Sequence, residues 1–186
     1  MLTENAKNGF ETLLMQCLTE SLKTNSDPDW KLQAIDTLDE VNEAEFFMLT
    51  LSSFTFKSFV LLHFTRNEST MKYVENALQI TNEVPDESKF YDFLGEIGNG
   101  FCGGLKRELG NYLPNLGMST PNRLTKQSLT HITALDCDFE THFSASSEGS
   151  ILFYGSLYVR SYNDMDFRIQ HESIGNDVES GELEFF

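Results

Sequence analysis

The stretch Ser88 to Gly110, SKFYDFLGEIGNGFCGGLKRELG, constrains the fold of this chain more than any other. It has no proline, and its apolar residues recur at helical spacing. At 100° per residue, Phe90, Phe93, Leu94, Ile97, Phe101 and Leu105 gather on one side, which predicts a helix over 88–110 with that side in the core. Asp92, Glu96, Asn99 and Gly103 follow at i, i+4, i+7 and i+11 and share a narrow arc on the opposite side, with Lys106 close to it. A carboxylate and a carboxamide are thereby displayed side by side on a solvent-facing stripe. The glycines oppose this reading. Gly95, Gly98, Gly100, Gly103 and Gly104 each cost ~0.8–1 kcal/mol relative to Ala in a helix interior. Either the helix breaks here, or small residues let another backbone approach: a packed helix on the core side, a docking partner on the exposed side. Composition leaves these two open.

The rest of the chain reads as helices and strands around that segment. Residues 4–24 are amphipathic, with Phe10, Leu13, Leu14, Cys17, Leu18 and Leu22 on one face, and end at the turn-rich run from Asn25 through Pro28. Residues 30–45 predict a strand plus loop carrying an acidic patch of Asp36, Asp39, Glu40, Glu43 and Glu45. Phe46–Phe54 and Lys57–Thr65 predict two strands with a tight connection. Residues 68–80 predict a helix capped by Asn67, with Met71, Val74, Leu78 and Ile80 inward. Ser128–Leu135, Asp138–Ser144, Ser150–Arg160 and Phe167–His171 predict strands of an antiparallel sheet.

Composition excludes more than it names. The chain has 186 residues, 29 Asp+Glu against 13 Lys+Arg, and a formal charge of −16. Duplex affinity comes from neutralising phosphates with cations, so no nucleic-acid partner is expected. An anionic membrane surface is disfavoured for the same reason. The longest nearly apolar run, Phe59 to Phe64, is far too short for a spanning helix. The N-terminus lacks a basic region, so a secretory signal is not expected. Cys17, Cys102 and Cys137 form no CxxC pair and read as reduced thiols of a cytoplasmic protein.

Two motifs mislead. Gly98-Asn99-Gly100-Phe101-Cys102-Gly103 fits G-x-G-x-x-G, but a dinucleotide site needs a preceding strand and an acid downstream, and Gly117 to Gln127 has no Asp or Glu. His131, Asp136, Cys137, Asp138 and His142 match no compact zinc spacing, and strand alternation would scatter them to both faces. No metal site is expected, and no context such as G-x-S-x-G marks a nucleophile.

The 88–110 run resembles the signature helix of the CheC/CheX/FliY family of chemotaxis phosphatases. That pattern is Asp or Ser, three residues, Glu, two residues, Asn, and a later Pro; Asp92, Glu96, Asn99 and Pro121 stand at its positions. The flanks fit too: a small residue before Glu96, a glycine-rich stretch after Asn99, Lys106 to Leu109, and Met118-Ser119-Thr120-Pro121. Phe101-Cys102 departs from the smaller apolar residues usual there. The resemblance spans 46–162 of a single domain, 1–186. It implies an α+β fold, a largely antiparallel sheet packed against helices, with an internal pseudo-two-fold duplication. Residues 1–45 would then be a degenerate first-copy helix and linker, and 163–186 an acidic C-terminal segment. Lys7-Asn8-Gly9-Phe10 echoes Gly98-Asn99-Gly100-Phe101, with Asn5 where the motif has its acid.

The resemblance further implies a protein substrate, the aspartyl phosphate of a CheY-like response regulator. Glu96 and Asn99 would be the catalytic pair, with Asn99 positioning the attacking water. Asp92, Gly103 and Lys106 would face the docked partner, and Pro121 would be structural. No cofactor is expected on this chain; Mg²⁺ would sit on the regulator. A homodimer through a free sheet edge after Ser128 is also expected. The alternative is a non-catalytic adaptor that binds a regulator through the same helix.

Overall fold

The computed structural model describes residues 1–24, 29–38, 41–80 and 85–169. The segment 88–110 resolves as helix: α3, Glu87–Leu109, runs unbroken for 23 residues through all five glycines. The Asp86 carboxylate caps it by accepting from the Lys89 amide at 2.8 Å. Phe90, Leu94, Phe101 and Leu105 are fully buried, and each contributes about 1.5–3 kcal/mol, which outweighs the glycine cost. Two of the glycines permit the packing itself. A Cβ at Gly98 would lie 3.3 Å from Leu49 of the sheet, and one at Gly104 would lie 3.3 Å from Cys17 of the neighbouring helix.

That neighbour is α1, Glu4–Leu22, whose N-cap Thr3 accepts from the Ala6 amide. A third helix, α2, Glu68–Leu78, starts in a reciprocal capping box between Asn67 and Thr70. Its buried side is Thr70, Tyr73 and Val74, and the Tyr73 hydroxyl donates to the Leu22 carbonyl at 2.8 Å. Leu78, expected inward, is exposed, because the helix ends at Gln79 in the left-handed region before that side can pack.

Among the described residues the strands form one seven-stranded sheet: β1 (Lys31–Ile35), β2 (Glu45–Ser52), β3 (Phe56–Phe64), β4 (Gly117–Met118), β5 (Asn122–Thr125), β6 (Phe139–Ser147) and β7 (Ser150–Ser161). The order is β1-β6-β7-β3-β2-β4, with β5 also on the outer side of β2, and every pairing is antiparallel. Exchanging β1 with β5, β2 with β6 and β3 with β7 returns the same order reversed. The first half thus lends an edge strand to the second, and the second lends one back.

All three helices cover one face of the sheet, and the main core lies between, with Phe10, Phe56, Phe64, Phe90, Phe101 and Phe153 fully buried. The other face carries a smaller core of Phe46, Phe59, Leu61 and Tyr158. Its cover is the 3₁₀ stretch Lys126–Leu135, where a strand is expected from sequence. Leu129, Ile132 and Leu135 stand three apart and all pack on this core, the spacing of a 3₁₀ helix rather than a strand.

Two further expectations change. The strands after Ser128 are interior: β6 lies between β1 and β7, and β7 between β6 and β3. Among the described residues the free edges are instead β1 and the β4/β5 side. Phe167–Ile169 forms no strand either. Residues 164–169 make a strap back to the N-terminus: Leu2 bridges Met165 in parallel, and Thr3 donates its amide to the Met165 carbonyl at 3.1 Å. The rest of the acidic C-terminal segment, with Phe185 and Phe186, lies outside the described residues, as do Asp39 and Glu40.

Candidate functional site

The exposed side of α3 opens onto a groove of about 780 Å³ whose far wall is the β5 side of the sheet. The helix supplies Asp92, Gly95, Glu96 and Asn99; Pro121, just before β5, and Arg123, within it, face them. Asp92 and Glu96 are exposed and Asn99 is half-buried. The Asn99 amide nitrogen donates to Glu96 Oε1 at 3.4 Å, a long contact that leaves the carboxamide oxygen as an acceptor. Asp92 accepts from the Ser88 hydroxyl one turn back.

Four residues singled out from sequence therefore meet in one groove. Gly103 and Lys106 do not line it. They lie farther along the same stripe, Lys106 exposed and Gly103 with nothing within 4 Å of an added Cβ.

The far wall carries a group that the sequence does not reveal. Arg123 sits over Tyr91, its guanidinium carbon 3.8 Å from the ring centroid. The Tyr91 hydroxyl donates to Glu45 Oε2 at 2.7 Å, and Arg123 Nε lies 3.6 Å from Glu45 Oε1. Burial, and then the Glu45 carboxylate, raise the Tyr91 pKa, so the phenol stays protonated. Glu45, the last acid of the patch read from sequence, thus stands beside the groove. Arg123 pairs with Phe47 across β5 and β2, a contact between distant parts of the chain with no local sequence signature.

The decoy motifs dissolve. Gly98 to Gly103 lies in mid-helix, which is incompatible with a dinucleotide turn. His131 is exposed on the 3₁₀ stretch, Asp136 pairs with Arg160, and Asp138 accepts from Ser161. His142 is buried on the sheet face away from the helices, where its Nδ1 has no partner among the described residues. On that face His63 Nε2 bonds the Ser156 hydroxyl at 2.9 Å. Burial lowers the His63 pKa to about 3, with a smaller push from His142, and lowers that of His142 to about 4. Among the described residues no group of three or more His, Cys, Asp or Glu side chains is placed to hold a metal ion. Burial pushes the Cys17 and Cys102 thiols up to about 12, so neither is a thiolate nucleophile. No helix among them is long and apolar enough to cross a membrane.

No family model matches the chain, and no curated protein matches it. Solved structures do. The chemotaxis protein CheX from Vibrio vulnificus superposes with a TM-score of 0.64 at 19% identity, covering 82% of this chain and 99% of that one. The chain has the CheX/CheC fold.

A chemotactic CheC-like protein from Shewanella oneidensis agrees, with a TM-score of 0.63 at 15% identity over 81% of this chain and 97% of that one. So does CheX from Borrelia burgdorferi, solved in complex with CheY, BeF₃ and Mg²⁺, at 0.58 and 9% identity, covering 83% and 97%. The CheX/CheC fold extends further, to FliM of Helicobacter pylori in complex with SpeE, at 0.54 and 9% identity over 85% and 90%.

Proposed function

We propose that this chain belongs to the CheC/CheX family and is a cytoplasmic phosphatase that accelerates hydrolysis of the aspartyl phosphate of a CheY-like response regulator. The observation that carries the reading is the single exposed stripe of α3 that sets Asp92, Glu96 and Asn99 on one wall of an open groove, in a chain with the CheX/CheC fold. The Borrelia CheX is known in complex with CheY, which supports a regulator as the occupant.

The chemistry suits these side chains. An acyl phosphate is already activated, so the catalyst needs no covalent nucleophile; it must hold a water in line with phosphorus. The Asn99 carbonyl oxygen accepts from that water, and its NH₂ group donates to the departing phosphoryl oxygens. A neutral carboxamide does not repel the phosphoryl group as a carboxylate would. The 3.4 Å contact to Glu96 keeps Asn99 oriented until docking. Glu96 then pairs with a cationic side chain of the regulator, and Asp92 adds a contact one turn away. Gly103 and Lys106 extend the docking stripe beyond the groove, and Pro121 shapes its far wall. Mg²⁺ on the regulator supplies most of the charge stabilisation.

The test mixes purified protein with a phosphorylated CheY-like regulator and Mg²⁺ and follows phosphate release. Wild type accelerates release, and Asn99→Ala removes the acceleration without lowering the melting temperature. A second reading, an adaptor that binds a regulator without hydrolysis, is favoured by one observation: the same fold serves in FliM of H. pylori, in a complex with SpeE. Binding without acceleration decides for the adaptor.

A further inference from the structure

The far wall of the groove carries a cation that is fixed in place yet incompletely satisfied. Arg123 is held on three sides: by its strand, by the Tyr91 ring 3.8 Å beneath it, and by Glu45. The Glu45 contact is 3.6 Å, beyond the ~2.7–2.9 Å of a charge-assisted hydrogen bond, and the second carboxylate oxygen is already bound by Tyr91. The Arg123 side chain keeps 44% of its surface exposed. A guanidinium offers five donors in a planar fork, so several of them point to no described partner at hydrogen-bonding distance. Its rotamer is set before any partner arrives, which lowers the entropy cost of binding.

The charge around it makes this position consequential. The chain carries −16 overall, and two of its acids, Asp92 and Glu96, stand on the α3 wall of the groove. A partner presenting an aspartyl phosphate and the carboxylates that hold its Mg²⁺ is itself anionic, so the long-range fields of the two proteins repel. Of 13 Lys and Arg, the groove holds Lys89 and Arg123, and only Arg123 is stacked on an aromatic ring there.

We infer that Arg123 is a specificity-determining residue: it receives a carboxylate of the regulator that flanks the aspartyl phosphate, while Asn99 faces the phosphoryl group. This rests on the phosphatase reading of the same groove. Arg123 contributes affinity and selects for an acidic partner surface; it takes no part in the chemical step.

The experiment measures Kd for a CheY-like regulator in its BeF₃/Mg²⁺ form and in its unmodified form, across a salt series, together with steady-state phosphate release. Arg123→Gln keeps a planar amide over Tyr91, and Arg123→Lys keeps the charge. The expected result for Arg123→Gln is a Kd raised ~10-fold for both regulator forms, a shallower salt dependence, a KM raised in parallel and an unchanged kcat. Arg123→Lys stays within ~3-fold of wild type, a separation that also holds if both variants melt somewhat lower. A loss confined to the BeF₃/Mg²⁺ form overturns the inference, because Arg123 then meets the phosphoryl group. Unchanged binding by Arg123→Gln overturns it while the phosphatase reading stands. If wild type binds neither form, the reading of the groove fails and the inference fails with it.

Discussion

Helices α1 and α3 lie side by side on the same sheet face, and each presents an asparagine on its outer side, yet among the described residues one outer side is roofed and the other is open. On α1 the strap 164–169 closes over the helix start. The Thr3 hydroxyl donates to Asp166 at 2.6 Å, Asn5 donates to Asp166 and accepts from Arg168, and the N-terminal ammonium pairs with Asp164 at 2.7 Å. Phe167 seats edge-on against Phe10, with ring centroids 5.1 Å apart, and leans on Tyr112 beyond the end of α3. Gly9 makes room for it, since a Cβ there would come within 2.6 Å of the ring. On α3 nothing comparable among the described residues covers Glu96 and Asn99, which line the groove. Nearly the same helix-on-sheet packing thus leaves a roofed surface in one case and a groove wall in the other. What covers the helix makes the difference.

That contrast can be broken in order of expected effect. The largest is a control on the scaffold both helices share. His63 and His142 are buried and neutral on the far face, with folded pKa values near 3 and 4 against about 6.5 in the unfolded chain. Their contribution is present above pH 6.5 and is lost as pH falls through the window towards 4 and 3, because only the unfolded chain takes up the protons there. Between pH 6.5 and 5 the loss is about 2–4 kcal/mol. Urea melts at both pH values, followed by Trp30 fluorescence and far-ultraviolet circular dichroism together, should show it as one transition. Separate transitions would mean that the two sides of the sheet unfold independently.

Next, Phe167→Ala removes the seat of the strap and should cost about 3 kcal/mol, read as a lower urea midpoint at unchanged slope. Phosphate release per folded molecule should stay unaltered; a parallel loss of activity would tie the strap to the α3 groove. Asn99→Ala should lower regulator dephosphorylation ~100-fold, the scale of losing a positioned reacting group. Asn5→Ala, under the strap at the position that matches Glu96, should leave the rate alone. An equal effect of both would erase the functional contrast. Smallest are the caps: Thr3→Ala and Asp86→Ala should each cost about 1 kcal/mol, measured by thermal melts. Thr3→Ala should cost more, since its hydroxyl also donates to the strap.

Much of this architecture was legible before any coordinates. The three helices, the β2–β3 hairpin and the Asn67 cap follow from periodicity and capping chemistry, which are local. The stripe of Asp92, Glu96 and Asn99 is equally local, because a helix fixes the angle between residues four and three apart. The errors have local causes too. Residues 126–135 carry strand-like composition, and only the three-residue spacing of Leu129, Ile132 and Leu135 signals otherwise. Leu78 breaks its helical pattern because the chain turns away one residue later at Gln79. Arg123 and Glu45 were visible only as charges. Their meeting over Tyr91 depends on β5 laying itself along β2, a pairing between residues 45–48 and 122–125.

The sequence by itself determined that 88–110 is a helix, which of its sides enters the core, and which side chains share its exposed stripe. It did so because backbone geometry converts spacing into direction. Only the tertiary structure decided that Gly98 and Gly104 serve close packing against Leu49 and Cys17, that the strap roofs the α1 stripe while no described residue roofs that of α3, and that Arg123 stands opposite Asn99. Those outcomes rest on which distant segments come together, and register between distant strands is set by the packing of the whole sheet rather than by any short run of residues.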